Sequence, residues 1–399
     1  MPKTTETDRP VRNQWTPPDK DPTFNLLLGK NGEASIVRCK GSPRTLPPFQ
    51  IDRDTLKKQN ATLRNQLQEI AASVNLEDEE ELRQSIIALA ASGMTAFEKL
   101  FPDYVRSEVR ALLGDRPKYH IELDGQRIGL HYIEISGTGV GFPWELLNIA
   151  DRAEDGENAF VGSSSVVIRN IEYNDCDIER RWVLPATRPL RIGGLLNDEL
   201  VAVKKDEARF LERLAADGRC KLERLIVKTK IKNAWGRSKE VFDFLAEDHP
   251  IDHFACHAWI DENAFGDSEI VLARDLRLKL QYMESCHGFR LPNNPLIIFN
   301  ACDGGSMSST HVEGFAHKFL EAGARSILTT ECEVPSDSAA EFVRHFYKHF
   351  LEGKDLSESL WLARRHLLQI NGDPAALIYS SYGEPYLTMS VEQSSKSSG

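Results

Sequence analysis

No apolar run in this sequence approaches the roughly 20 residues that a membrane-spanning helix needs, so function without a membrane is expected. The first 22 residues, MPKTTETDRPVRNQWTPPDKDP, are polar and proline-rich and lack the hydrophobic core of a secretory signal. An excess of positive charge is missing too. The 49 Lys and Arg stand against 60 Asp and Glu, a net charge of −11 that repels phosphate backbones and argues against direct nucleic-acid binding. No CxxC pair occurs, and the 7 cysteines, Cys39, Cys176, Cys220, Cys256, Cys286, Cys302 and Cys332, are irregularly spaced. An odd, irregular set argues against a disulfide framework and for reduced thiols, hence a cytoplasmic protein.

What is present is a globular chain of 399 residues, 41% hydrophobic and 27% charged, long enough for two or three domains. Residues 1–22 and 391–399 have the composition of disordered tails. Within 23–114, FNLLL and ASIVRC flank Lys30-Asn31-Gly32, a hairpin signal, because Asn-Gly suits a tight primed turn. From Ile51 to about Leu113 the apolar period becomes helical, with Leu56, Leu63, Leu67, Ile70 and Ala71 at three-to-four spacing. The heptad register does not persist, so this stripe is expected to pack on the protein's own core rather than in a coiled coil. Residues 115–188 hold two strand-like runs, KYHIELDG and IGLHYIEIS, joined through Asp124-Gly125, then FPWELLN and FVGSSSVVIRNIE. They predict a small antiparallel entry module.

From Pro189 strands and helices alternate. LRIGGLL, LERLIVK, IDHFACH, LIIFNAC, ARSILTT and AALIYS read as strands; 207–216, 238–246, 312–322, 338–350 and 356–370 read as helices. Alternation of this length implies right-handed crossovers and a mostly parallel sheet covered on both faces.

Two of these strands end on reactive side chains. Ile251 to His257 and Leu296 to Cys302 each present one at the carboxyl end, where open α/β sheets build their sites. A thiol needs a base to become a thiolate at neutral pH, and imidazole is the side chain best matched to take its proton. The pair proposes a cysteine hydrolase, with the backbone N–H groups of Ala258 and Cys302 as an oxyanion hole and Gly304-Gly305 freeing the turn after the thiol. Cys302 as a plain core thiol is the competing reading. His253, on the same strand face as His257, is the rival base, but it lies near the strand start. Cys256 faces the other way. A zinc site from His253, Cys256, His257 and Cys286-His287 is disfavoured because these residues alternate faces, so neither metal nor cofactor is expected.

The 45-residue spacing from His257 to Cys302 and the Asn-Ala-Cys strand end resemble the CHAT branch of the caspase-like cysteine peptidases. PWELL near Trp144, FVG and VVIRN, EGFAHKFLEAGARSIL at 313–328 and FYKHFLEGKDLSESLWLARRHLL at 346–368 continue the resemblance in order, over roughly residues 115–390. It implies an α/β fold, a caspase-like, mostly parallel sheet sandwiched by helices, behind a small β and helical N-terminal region that is a candidate regulatory element. Residues 115–390 would form the protease domain, with its catalytic core at 189–390. Ala258 stands where the family has glycine. The resemblance further implies Cys302 as nucleophile, His257 as base, and Asp303, Glu331 and Glu333 as an acidic substrate pocket for a basic residue, as in arginine- or lysine-directed members. It also implies a protein substrate such as a gasdermin-like pore-former, an upstream activator or sensor, and a role in bacterial immunity or regulated cell death. A non-catalytic scaffold and a small-molecule cysteine hydrolase are the alternatives.

Overall fold

The computed structural model describes residues 20, 22–29, 31–38, 44–73, 78–117, 119–123, 125–137, 141–170, 183–184, 189–225, 233–259, 267–285, 289–301, 309–332 and 334–389. Strands β1 (Phe24–Leu28) and β2 (Glu33–Arg38) form the expected antiparallel hairpin, with Leu28 opposite Ala34. Gly32 holds φ at +81°, a value open to glycine at little cost, and an added Cβ would lie 2.6 Å from the Ile51 carbonyl oxygen.

Helices α1 (Arg53–Ser73), α2 (Glu79–Leu100) and α3 (Asp103–Gly114) follow. The Asp78 side chain caps α2 by accepting from the N–H groups of Glu80 and Glu81. Leu63, Leu67 and Ile70 of α1 and Leu89, Phe97 and Leu100 of α2 are buried in one cluster with residues as distant as Leu387. The helical stripe therefore packs on the protein's own core.

Strands β3 (Tyr119–Leu123) and β4 (Gln126–Gly137) pair antiparallel as expected, but they are not a separate antiparallel module. β4 also pairs parallel with β1 on one edge and with β5 (Ser165–Asn170) on the other. The reason is apolar content on both faces: Leu130, His131, Tyr132 and Ile133 are consecutively buried, and a strand buried on both faces belongs inside a sheet.

The remaining elements are β6 (Leu190–Leu196), α4 (Ala208–Ala216), β7 (Cys220–Arg224), α5 (Ala234–Leu245), β8 (Ile251–Trp259) and the hairpin β9 (Glu269–Ala273) and β10 (Leu276–Lys279). Then come β11 (Leu296–Ala301), α6 (Ser309–Glu321), β12 (Ser326–Thr330), α7 (Ser336–Leu351), α8 (Leu356–Arg365) and β13 (Tyr379–Gly383). The main sheet runs β7-β6-β8-β11-β12-β13-β5-β4-β1-β2, parallel except where β13 meets β12 and β2 meets β1. This is the expected α/β class with a mostly parallel sheet between helices.

Three local features differ from the sequence reading. The β9–β10 hairpin was not foreseen. Its strands are short and joined by a turn at Arg274 and Asp275, too brief to show a period. Helix α8 stops at Arg365 and continues as a π-helical turn, His366–Ile370. The AALI segment lies in a 3-10 turn, Pro374–Ile378, because Asp373 caps it through the Ala375 N–H and Pro374 sits at its first position.

Candidate functional site

β8 is the strand around which the site is built. Its parallel register with β6 ends at Ala255 opposite Leu196, and with β11 at Cys256 opposite Ala301. From His257 onward β8 pairs antiparallel with β9 instead, His257 opposite Val271 and Ala258 opposite Ile270. His257, half-buried, thus stands where the strand leaves the parallel sheet and enters the hairpin. Ala258 is inside this antiparallel pairing and only 4% exposed. It is not just past a strand end, because the hairpin extends β8 to Trp259. Cys302 follows Ala301 in the chain; Cys302, Asp303 and Glu333 lie outside the described residues.

Asn197, immediately after β6, braces this junction. Its backbone N–H donates to the Ala255 carbonyl at 2.8 Å, and its side-chain amide donates to the carbonyl of Val271, the partner of His257, at 3.2 Å. Asn197 is buried, and its own Oδ1 accepts from the Glu199 N–H.

His253, four residues and two pleat repeats before His257, belongs to a buried polar network. Its Nε2 lies 2.6 Å from Glu207 Oε1 and its Nδ1 3.1 Å from the Tyr347 hydroxyl. Glu207 Oε1 also accepts from Asn300 Nδ2, and Asn300 Oδ1 accepts from the Tyr379 hydroxyl at 3.0 Å. The network ties β8, β11 and β13 to α7 on one sheet face, while Phe254 meets Phe319 of α6 on the other. With both ring nitrogens engaged, His253 holds structure rather than serving as a base. Cys256 is fully buried on the α6 face, and burial, reinforced by the Glu207 carboxylate, pushes its thiol far above the ordinary range. It is core.

Glu331, expected to face a basic substrate side chain, instead faces the interior. Its carboxylate is 2% exposed, Oε2 pairs with Arg64, and Oε1 accepts from Ser380 and, at 3.0 Å, from Tyr382. Nearby, Glu145 of the PWELL segment accepts from Arg169 at 2.7 Å and Arg364 at 2.8 Å. Burial alone would raise the Glu145 carboxyl, and the two guanidinium groups outweigh it and hold it below its ordinary value.

The sequence reading also missed a hollow of about 450 Å³ at the carboxyl ends of β6 and β7, lined by Leu195, Leu196, Asp198, Glu199, Arg224 and Leu225 and closed by the β9–β10 hairpin. Asp198 pairs with Arg224, and Glu199 accepts from the Arg274 N–H at 2.9 Å. The acidic pair in the Asn-Asp-Glu run after LRIGGLL was the available signal, since the run directly follows the end of a strand.

Residues 147–386, well over half of the chain, match the CHAT domain. The chain belongs to the CHAT domain family. No curated protein matches the sequence. Among solved structures, this CHAT protein is similar to the pro- and mature domains of Porphyromonas gingivalis RgpB, at 10% identity, covering 84% of this chain and 78% of that one, TM-score 0.42. It is also similar to the Saccharomyces cerevisiae separase–securin complex, at 10% identity, covering 92% of this chain and 30% of that one, TM-score 0.45. Neither likeness carries a residue role to this CHAT protein. Among the described residues, no helix is long and apolar enough to cross a membrane.

Proposed function

We propose that this CHAT protein is a cysteine endopeptidase with Cys302 as nucleophile and His257 as general base. The carrying observation is the register at the strand ends: His257 follows Cys256, and Cys302 follows Ala301, the last paired residues of neighbouring parallel strands. His257 takes the proton of Cys302, and the thiolate attacks the peptide carbonyl carbon. The carbonyl electron pair moves to oxygen, where the N–H groups of Ala258 and Cys302 are the candidate donors. Collapse breaks the C–N bond as the His257 imidazolium protonates the departing amine, leaving a thioester. Water, deprotonated by His257, then releases the acid and the thiol.

His253 and Cys256 are core residues, and His257 is the half-buried imidazole where β8 leaves its parallel pairing. Asp198 and Glu199 at the adjacent hollow join Asp303 and Glu333 as candidate contacts for a basic substrate side chain. A protein substrate such as a gasdermin-like pore-former, an upstream activator and a role in bacterial immunity or regulated cell death extend this reading. The test compares the purified chain with Cys302→Ala and His257→Ala, using a thiol-directed electrophilic probe and a peptide panel varied before the scissile bond. Selective labelling of Cys302 that falls at least tenfold in His257→Ala, with peptide cleavage, supports it. Cleavage unchanged in Cys302→Ala sinks it, absence of both labelling and cleavage favours a scaffold, and turnover confined to free amides or esters favours a small-molecule hydrolase.

A further inference from the structure

The sequence holds no zinc-binding motif with CxxC spacing, yet packing gathers three ligands away from β8. On α7, Glu341 and His345 are four residues apart and share a helix face. Across from them His366 opens the π-helical turn that follows α8. The Nε2 atom of His345 lies 3.0 Å from Glu341 Oε1, and Nε2 of His366 lies 3.6 Å from the same oxygen. The two imidazoles are stacked with centroids 3.3 Å apart. One ligand atom from each of the three residues falls within 4.8 Å of the others.

We propose that Glu341, His345 and His366 bind a divalent transition-metal ion of the zinc class. Legs of about 2.0–2.1 Å in a tetrahedron place ligand atoms roughly 3.3 Å apart, and the two carboxylate–imidazole separations, 3.0 and 3.6 Å, lie near that edge, while the stacked rings must tilt apart for both Nε2 lone pairs to meet one ion. Two imidazoles and one carboxylate are a donor set that zinc accepts, with water in the fourth position. Arg344 pairs with the other carboxylate oxygen of Glu341, orienting Oε1 toward the histidines as outer partners of metal ligands do.

The π turn places the third ligand, and it is one of two among the described residues, the other being Val203–Glu207. Such turns are rare in helices and concentrate at functional sites. This one begins at the residue that completes the ligand set. The three residues are only partly buried, with side chains 26%, 16% and 24% exposed, so an ion has access from solvent. Bound there, it would cross-link α7 to the end of α8.

The contrast within the same molecule is His317 and Glu321 on α6. They have the same four-residue spacing and a 3.0 Å contact, but no third ligand joins them among the described residues. Spacing alone is therefore not what distinguishes the proposed site.

The test uses the full chain, stripped with chelator and titrated with Zn²⁺ against a chromophoric competitor, and separately with Co²⁺. Wild type should hold one more tightly bound equivalent than His345→Ala or His366→Ala, and His317→Ala should match wild type. Glu341→Gln should weaken that equivalent by at least the roughly 10- to 100-fold that even an outer-shell change costs. The Co²⁺ spectrum lost in His366→Ala should show d–d bands without thiolate charge transfer, which separates this site from any involving cysteine. Matching thermal melts of the metal-free variants establish that they fold. Equal zinc counts in wild type and both histidine variants, or a lost spectrum with thiolate character, overturns the proposal.

Discussion

Arg64 of α1 and Glu331, just after β12, form an ion pair across 267 positions of sequence, with side chains 5% and 2% exposed. Arg64 also donates to the Glu331 backbone carbonyl and to the Gly141 carbonyl at 2.8 Å. The N-terminal helices are thereby joined to the centre of the sheet. Arg64→Met should cost up to about 3–5 kcal/mol, because it leaves the buried Glu331 carboxylate with the more distant Arg169, 3.8 Å away, whereas Arg64→Met with Glu331→Gln should recover much of that loss. Urea unfolding of the two variants measures the difference, and equal destabilisation would mean that the pair is not coupled.

Asn197→Ala keeps the backbone bond to Ala255 but removes the one side-chain bond to the β8–β9 junction, together with the Oδ1 contact to the Glu199 N–H. Loss of the side-chain bond to the Val271 carbonyl should cost about 0.5–1.5 kcal/mol. If His257 is the base, kcat should fall more than tenfold with KM within about twofold, since a small misplacement of a catalytic group is costly. Faster amide exchange in β9 is the accompanying structural readout. Unchanged kcat with unchanged exchange would remove Asn197 from the positioning role.

Asp252 sets a pH dependence. Buried on β8 with neither carboxylate oxygen in an aligned hydrogen bond, it has its carboxyl pushed up to about 6 by desolvation, partly offset by His249 3.3 Å away. Between about pH 4 and 6 the folded state keeps this proton and the unfolded state has released it, so stability falls as pH rises. His249 is raised by its Asp252 and Glu223 partners against desolvation, so its contribution is full below its unfolded value and lost as pH passes the folded one. Both act in the same direction. Asp252→Asn should therefore gain stability relative to wild type as pH rises from 4 to 7, by at most about 3 kcal/mol. Paired melting curves that keep a constant difference across this range would refute the assignment.

The buried thiols should be inert. Cys220, Cys256 and Cys332 are all buried, desolvation lifts Cys220 to about 11, and Cys256 is pushed higher still. Iodoacetamide at pH 7.5 should leave these three unmodified in the folded protein and label them only after denaturation. Peptide mapping by mass spectrometry reads this directly, and rapid native labelling of Cys256 would contradict its place in the core.

Much of the strand and helix order was legible because its signals are local. Apolar runs of fixed length, bounded by turn residues, marked β8 and β11, and the two-residue period put His253 and His257 on one face. The same period could not say that β4 would gain parallel neighbours on both edges, since those partners lie about a hundred residues upstream and some thirty downstream. Short strands such as β9 and β10 carry too few residues for any period to emerge.

By itself the sequence determined that this is an α/β chain in which a histidine and a cysteine close two apolar runs, because side-chain alternation and helix length are properties of neighbouring residues. Only the tertiary structure decided what the polar side chains do. Glu331 became a core partner because Arg64 meets it, and His253 was taken by Glu207 and Tyr347. His366 was brought to Glu341 by the packing of α7 against the end of α8. Burial and pairing depend on groups far apart in the chain, and a carboxylate or imidazole acquires its role from whichever of them folding delivers.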